Sequence, residues 1–360
     1  LADYPRKGRG TQGVIGIQTS ERNGRLVSAV LLEEADEVLL ISDGGTLVRT
    51  RASEIARVGR NTQGVTLMRV QAGEKLQAIE RLDVSLDDAE VLIFNGGPDD
   101  FPQPLPPNVG LVQIPFAGVD HLLGVMRDTT ARWSNAAGLY DATVAESTIA
   151  LLLAQLHAHK RVGTSWDNRD EVEAHTSFLF EDKTVAVVGA GGIGKRLIRM
   201  LEGFGPRIIA VNRSGNPVEG ADETFATADI ERVWPAADYF VALAPLMDET
   251  HRLFNAAAFR AMPDHAVIIN VGRGPLVDTD ALVEALRAGD IAGAGLDVTD
   301  PEPLPDGHPL WDMPNVVITP HLANPPYSVR RRIGSHTVQV MERYSAGEAI
   351  PTEVDIQAGY

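Results

Sequence analysis

Residues 184–205, "TVAVVGAGGIGKRLIRMLEGFG", constrain the fold of this chain more than any other stretch. Val185 to Val188 make a short apolar run. Gly189-Ala190-Gly191-Gly192-Ile193-Gly194 follow it. Leu197, Ile198, Leu201 and Phe204 then recur at helical spacing, and Gly205 is placed to cap the helix. A GxGxxG run means little alone, but here it lies between an expected strand and an expected helix, the context that gives it a physical role. The first glycine permits the tight turn, the second lets the backbone approach a pyrophosphate, and the third lets helix pack on strand. The helix N-terminus adds N–H donors for the phosphate. Gly189, Gly191, Gly192, Ile193 and Gly194 are therefore the expected dinucleotide contacts.

The next strand reads "RIIAVNRS", and Asn212 stands 18 residues beyond Gly194. An NAD-binding protein usually carries an acid there for the ribose 2′-OH. Asn212 is uncharged, and Arg213 and Ser214 follow it. An arginine and a hydroxyl suit a 2′-phosphate that an aspartate would repel, so NADP is expected over NAD, with NAD possible.

Four more expected strands, "DYFVALAP", "AVIINVG", "AGAGLDV" and "NVVITPH", run on towards the C-terminus, with the helix-like "DTDALVEALRAG" between the second and third. Open parallel sheets place ligands at such strand ends. Arg273 follows the second of these strands, Asp297 and Glu302 the third, and His321 ends the fourth. Reduction of a keto acid needs a cation for the carboxylate, which arginine supplies with two parallel hydrogen bonds. It also needs a proton donor working near neutral pH, which suits histidine, and a carboxylate to orient that histidine and favour its charged form. Arg273, His321 and Glu302 fit these roles. Singly, each has a plainer reading as a strand-end turn, a satisfied core histidine or a loop charge. His157 and His159, two apart on an expected helix, face different sides and make a poor metal pair, so no metal site is expected.

Residues 1–82 have another character. Short apolar strands such as "GVIGIQTS", "EVLLISDGG", "TLVRTRA" and "KLQAIERL" are separated by turn signals at Asn23-Gly24 and Asp43-Gly44-Gly45. "GRGTQGV" at 8–14 returns as "GRNTQGV" at 59–65, 51 residues on, a spacing suited to repeated β units. These residues carry 12 Lys and Arg against 10 Asp and Glu, whereas the remainder carries 20 against 39, within a net charge of −17. An acidic body repels phosphate backbones, while a neutral-to-basic arm does not. The chain has no cysteine, which excludes disulfides and thiolate metal sites and fits a reducing, cytoplasmic setting. Its longest apolar runs are too short to span a bilayer.

Two family resemblances follow from these motifs. "YPRKGRGTQGVIGIQTSERNG", "ISDGGTLVRTRASEI" and "VGRNTQGVTLMRV" resemble the last blades of the C-terminal β-pinwheel of DNA gyrase, across residues 1–82. That family wraps DNA by phosphate contacts, and the resemblance puts Arg6, Lys7, Arg9, Arg57 and Arg60 at its basic positions. About two blades are present, so these arginines are read as a solvated surface. From about residue 86 to 360 the chain resembles the D-isomer-specific 2-hydroxyacid dehydrogenases, through GAGGIG, NVGRGPLVD, LDVTDPEPLP and TPH in that order. The resemblance implies Arg273 as substrate-binding arginine, His321 as acid/base and Glu302 as its partner. It implies Asp297 at the nicotinamide end, and Ala244, Pro245, Val271 and Gly272 along the cofactor. Asn95-Gly96-Gly97 and Ala117-Gly118, within "FAGVDHL", would be substrate loops whose N–H groups receive the carboxylate. The β-α units that open this family are missing, and the gyrase-like strands stand in their place.

The expected fold is α/β: a Rossmann-type doubly wound parallel sheet at 127–325, a truncated flavodoxin-like substrate domain from 84–126 and 326–360, and an N-terminal all-β segment at 1–82. The expected activity is hydride transfer between NADP(H) and a small 2-keto or D-2-hydroxy acid, as in glyoxylate/hydroxypyruvate reductases, in a homodimer. Two alternatives stand beside it: a DNA-binding module carried by residues 1–82, and a composite whose dehydrogenase part is catalytically impaired.

Overall fold

The structure, a computed structural model, describes residues 32–34, 36–42, 47–56, 67, 75–82, 86, 89–180, 182–325 and 328–359. It divides into two compact units, residues 1–89 and 90–360. In the first unit, β1 (Glu37–Ser42), β2 (Leu47–Arg51) and β3 (Leu76–Leu82) form an antiparallel sheet in the order β2-β1-β3. Val38 and Leu40 are buried and Leu39 between them is not, the alternation of a strand with one core face. These are the strands read from "EVLLISDGG", "TLVRTRA" and "KLQAIERL". Both TQGV copies, Asn23-Gly24, Asp43-Gly44-Gly45, Arg6, Lys7, Arg9, Arg57 and Arg60 lie outside the described residues.

The second unit opens with β4 (Val91–Ile93) and β5 (Leu111–Gln113), then α1 (Leu123–Arg127) and β6 (Arg132–Ser134), paired in parallel in the order β4-β5-β6. The sequence reading put residues 132–134 in the nucleotide-binding domain. They pair with β5 instead, because the chain after α1 returns along the edge of that small sheet. A three-residue strand has too short an apolar pattern to announce its sheet.

Helix α2 (Asp141–Leu156) then leads to the large sheet. Elements α3 (Arg169–Ala174), β7 (Thr184–Val188), α4 (Gly192–Leu201), β8 (Arg207–Asn212), β9 (Glu223–Ala226) and β10 (Tyr239–Ala242) follow. The chain continues through α5 (Ala256–Ala261), β11 (Val267–Asn270), α6 (Thr279–Ala288), β12 (Gly293–Leu296), α7 (Pro309–Asp312) and β13 (Val316–Ile318). Seven strands pair all in parallel in the order β13-β12-β11-β10-β7-β8-β9, so the connection reverses direction between β7 and β10. That reversal opens a crevice at the carboxyl ends of the two strands.

Both faces of this sheet are covered, which is why its strands read as continuous apolar runs. Val185, Val187, Val241 and Ile269 pack with residues of α2 and α4 on one face. Ala186, Val188, Phe240 and Ile268 pack with α5 and α6 on the other. Glycines in β12 let α2 come close: a Cβ on Gly295 would stand 3.5 Å from Leu151 Cβ, and one on Gly293 only 2.0 Å from Gln155 Nε2. Asn255 caps α5 and Asp278 caps α6 through side-chain oxygens, and Gly289 ends α6 at φ 78°. Helix α8 (Arg330–Ser345) returns to the small sheet, where Val340 and Ile350 bury Leu111. The last segment bridges antiparallel to β6 at Ser134 and Glu353, and Arg132 pairs with Glu353 at 2.7 Å.

Candidate active site

Every polar group singled out in the large sheet falls at its carboxyl edge: Gly189 after β7, Asn212 at the end of β8, Ala244 after β10, Arg273 after β11, Asp297 after β12 and His321 after β13. Gly189 has φ 106°, and a Cβ there would lie 2.3 Å from the Ala244 nitrogen, so the turn packs directly on the β10 end. A Cβ on Gly194 would meet the Gly189 carbonyl oxygen at 2.8 Å, which leaves that position to glycine for helix-on-strand packing. Gly191 faces open space, and α4 begins at Gly192 with no side-chain cap. The first-turn N–H groups of α4 are therefore open to an anion. Val271 is buried, and a Cβ on Gly272 would meet the Ala242 carbonyl oxygen at 3.0 Å.

At the end of β8, Asn212 ties its own loop. Its Oδ1 accepts from Gly215 N at 2.7 Å and its Nδ2 donates to the Asn216 carbonyl at 2.8 Å. Ser214 Oγ donates to Asn212 Oδ1 at 3.3 Å. Arg213 is exposed and pairs with no carboxylate among the described residues. The donor set fits a dinucleotide bearing a 2′-phosphate. One group at the turn runs against an anion: Asp141, whose Oδ2 lies 2.7 Å from where a Gly192 Cβ would be. Burial pushes the Asp141 carboxyl up from its ordinary value, and Arg196 opposes that shift.

His321 Nδ1 meets Glu302 Oε1 at 2.6 Å, which leaves Nε2 as the ring nitrogen available for proton transfer. His321 has φ 52°, uncommon for a residue with a side chain. Its N–H donates to the Asp297 carbonyl at 2.8 Å. The buried Asp297 carboxylate also faces this loop. Its Oδ1 accepts from Thr319 Oγ1 at 2.6 Å and Leu322 N at 2.8 Å, and its Oδ2 accepts from Ala323 N at 2.9 Å. The sequence reading pointed Asp297 at the nicotinamide; here three of its acceptor positions hold the histidine loop. From the other side, Ser147 of α2 donates to the Ala323 carbonyl at 3.1 Å and Thr143 to Asn324 Oδ1 at 2.7 Å.

Arg273 crosses to the loop after β5. Its Nε donates to Asp120 Oδ1 at 2.9 Å and its Nη1 to the Gly272 carbonyl at 2.9 Å. The Nη2 end of the guanidinium abuts Gly118, where an added Cβ would stand 1.3 Å from Nη2. Asn135 Nδ2 holds the Ala117 carbonyl at 2.9 Å. The N–H groups of Ala117 and Gly118 make no hydrogen bond among the described residues, and so stay open to a carboxylate. Asn95-Gly96-Gly97 differ. The Gly97 N–H already donates to Asp100 Oδ2 at 3.0 Å, and no hydrogen bond joins these residues to Arg273 or His321 among the described residues. The expected carboxylate donor at Gly97 is thus taken, because Asp100 caps the turn that follows β4.

Sequence reasoning missed Asp120, Asp141 and the Thr143 and Ser147 tethers. Asp120 stood inside "FAGVDHL", but a lone loop acid has no spacing to mark its partner.

Comparison with known proteins places these observations. Residues 149–323 match the family model described as D-isomer specific 2-hydroxyacid dehydrogenase, NAD binding domain. Residues 1–33 and 36–83 match the DNA gyrase C-terminal domain, beta-propeller. An uncharacterized protein of Corynebacterium melassecola is 54% identical over 285 residues, covering 78% of this chain and 93% of that protein. A glyoxylate reductase of Thermofilum pendens is 33% identical over 258 residues, 69% of this chain and 76% of that one. Among solved structures, an NADPH-dependent glyoxylate/hydroxypyruvate reductase of Sinorhizobium meliloti, in complex with NADP and sulfate, superposes with TM-score 0.65 at 28% identity. That match covers 77% of this chain and 90% of the other.

Proposed function

The chain belongs to the D-isomer specific 2-hydroxyacid dehydrogenases, and from that footing we propose that it reduces small 2-keto acids such as glyoxylate and hydroxypyruvate to D-2-hydroxy acids with NADP(H). The observation that carries the reading is the gathering of the glycine turn, Arg273 and the His321–Glu302 pair at the carboxyl edge of one parallel sheet. The nicotinamide, when bound, supplies the hydride. Arg273 holds the substrate carboxylate through Nη1 and Nη2, with the Ala117 and Gly118 N–H groups as further donors. His321 gives its Nε2 proton to the carbonyl oxygen as the alkoxide forms, and Glu302 holds the ring through Nδ1. Gly189, Gly191, Gly192, Ile193 and Gly194 cradle the pyrophosphate. Ala244, Pro245, Val271 and Gly272 line the cofactor, and Arg213 and Ser214 take the 2′-phosphate. Asn95 and Gly96 complete the substrate loops.

NADPH oxidation followed across a panel of 2-keto acids tests this. The expected result is turnover on glyoxylate or hydroxypyruvate, stronger with NADPH than NADH and abolished in His321→Ala without loss of NADPH binding. NADPH binding with no turnover on any 2-keto acid overturns it.

The proposed assembly is a homodimer. Val162, Trp166, Phe178 and Phe180 are exposed ahead of β7, Trp166 by 86%, and the Phe178 and Phe180 rings stack at 5.3 Å. Large apolar side chains this exposed are available to a partner copy. Light scattering of Trp166→Ser/Phe180→Ser against the wild type reads it. No helix among the described residues is long and apolar enough to cross a membrane, and the cytoplasm is the proposed compartment. The beta-propeller match at residues 1–33 and 36–83 favours DNA binding as a rival reading. A salt-dependent gel shift lost on removal of those residues would support it.

A further inference from the structure

We propose that Asp120 is a positioning residue that presents Arg273 to the substrate. The inference rests on the reading of Arg273 as the carboxylate-binding group. A guanidinium has five N–H donors in a fixed fork and can take a carboxylate either end-on through Nη1 and Nη2 or side-on through Nε and Nη2. In this structure the side-on edge is closed, because Asp120 Oδ1 holds Nε at 2.9 Å. The Gly272 carbonyl takes one Nη1 hydrogen at 2.9 Å. The second Nη1 hydrogen and both on Nη2 have no partner among the described residues. One edge of the fork is thus fixed and the other is left for a ligand.

The anchor is local and independent of the catalytic pair. Asp120 opens the helical turn that precedes α1, on the segment carrying Ala117 and Gly118, while Arg273 follows β11. Both side chains are about two-thirds withdrawn from solvent, with 29% and 32% exposure. A pair this sheltered is screened less than a surface pair. Gly118 stands against the Nη2 end of the guanidinium, where an added Cβ would lie 1.3 Å from Nη2, 2.5 Å from Cζ and 3.3 Å from Nε. Arginine held by a carboxylate at Nε and by a backbone carbonyl at Nη1 needs no reorganisation when substrate arrives, which is the condition under which a charged donor contributes most.

The alternative for the same contact is that Asp120 competes with the substrate carboxylate for Arg273. The two make opposite predictions, and oxamate, a non-reacting 2-keto acid analogue, separates them without turnover. Oxamate titrated into the NADPH complex, read by nicotinamide fluorescence, should bind Asp120→Asn about tenfold more weakly than wild type, with NADPH affinity unchanged and partial recovery in Asp120→Glu. In an Arg273→Met background the Asp120→Asn change should have no further effect on oxamate, which guards against a general loss of fold. Unchanged or tighter oxamate binding in Asp120→Asn, additive effects in the double variant, or a parallel loss of NADPH affinity would each overturn the inference. Wild-type protein that reduces no 2-keto acid yet binds oxamate in an Asp120-dependent way would sink the functional reading alone. Wild-type protein that binds no oxamate would sink both.

Discussion

Gly118→Ala is the smallest change that reaches Arg273, the proposed substrate arginine, without replacing it. The new methyl carbon would lie 1.3 Å from Arg273 Nη2 and 2.5 Å from its Cζ, where ordinary contact begins near 3.4 Å. The guanidinium must therefore retreat by roughly 2 Å or swing away from the loop. It is held at Nε by Asp120 and at Nη1 by the Gly272 carbonyl, so retreat breaks one of those bonds or turns the Nη edge off the substrate. A misplacement of that size costs about 10²-fold in rate, or roughly 2.7 kcal/mol of transition-state stabilisation. The backbone at Gly118 is not in the left-handed region, so alanine adds no conformational strain of its own. The cofactor turn lies after another strand, so NADPH affinity should be untouched. Steady-state kinetics, NADPH titration and a thermal melt on one preparation check all three. A kcat/KM within twofold of wild type, or a fall in NADPH affinity as large as the fall in kcat/KM, would refute the reasoning.

Three further outcomes follow from other contacts. Glu302→Gln keeps a hydrogen-bond partner for His321 Nδ1 but removes its charge, so kcat should fall by about 10- to 100-fold with little change in NADPH affinity; equal kcat would remove Glu302 from the mechanism. Gly194→Ala presses a methyl to 2.8 Å from the Gly189 carbonyl oxygen and 3.2 Å from Val187 Cγ1, so α4 should be driven off β7, with stability lower by about 1–3 kcal/mol and NADPH binding weakened. Glu353 is held below the usual glutamate value by its hydrogen bond to Arg132, so its contribution is complete above the unfolded-state pKa of roughly 4.3 and is lost as pH falls through the lower folded-state value. Glu353→Gln should therefore destabilise by less than about 1 kcal/mol at pH 7, and in urea unfolding the difference from wild type should shrink as acidification protonates Glu353; a difference that does not shrink at any acid pH would contradict the assignment.

The legible parts of the chain were those with a period or a spacing. The β7 run, the glycine turn and the spaced leucines of α4 gave the first βα unit to within a few residues, because both sheet faces are buried and the turn admits only glycine at φ 106°. The placing of Arg273 and His321 at one sheet edge was legible because strand ends in a parallel sheet converge, and that of Glu302 because its Pro-bounded motif follows β12. The contacts that hold these groups were not legible. Asp120 lies 153 residues from Arg273, and Thr143 lies 181 from Asn324. A single side-chain bond across that separation leaves no pattern in either stretch. Gly97 misled for a related reason: its glycine suggested an open donor, while Asp100, three residues on, closes the turn by capping it.

An enzyme with net charge −17 that captures an anionic substrate faces a general repulsion. At physiological salt that field fades within about 8 Å, so binding is decided by the nearest groups. At the site, carboxylates stand behind the donors rather than among them. Asp120 is bonded to the rear edge of Arg273, Glu302 to the inner nitrogen of His321, and Asp297 to the loop backbone. Each acid is consumed in orienting a donor or the segment that carries one, and the Nη edge of Arg273, His321 Nε2 and the Ala117 and Gly118 N–H groups remain. Asp141, set against the first turn of α4, is the exception, and burial shifts it towards its neutral form. The acidity of this chain is thus compatible with anion chemistry because its site acids are spent on geometry, and any substitution that frees one of them converts a positioning charge into a repelling one.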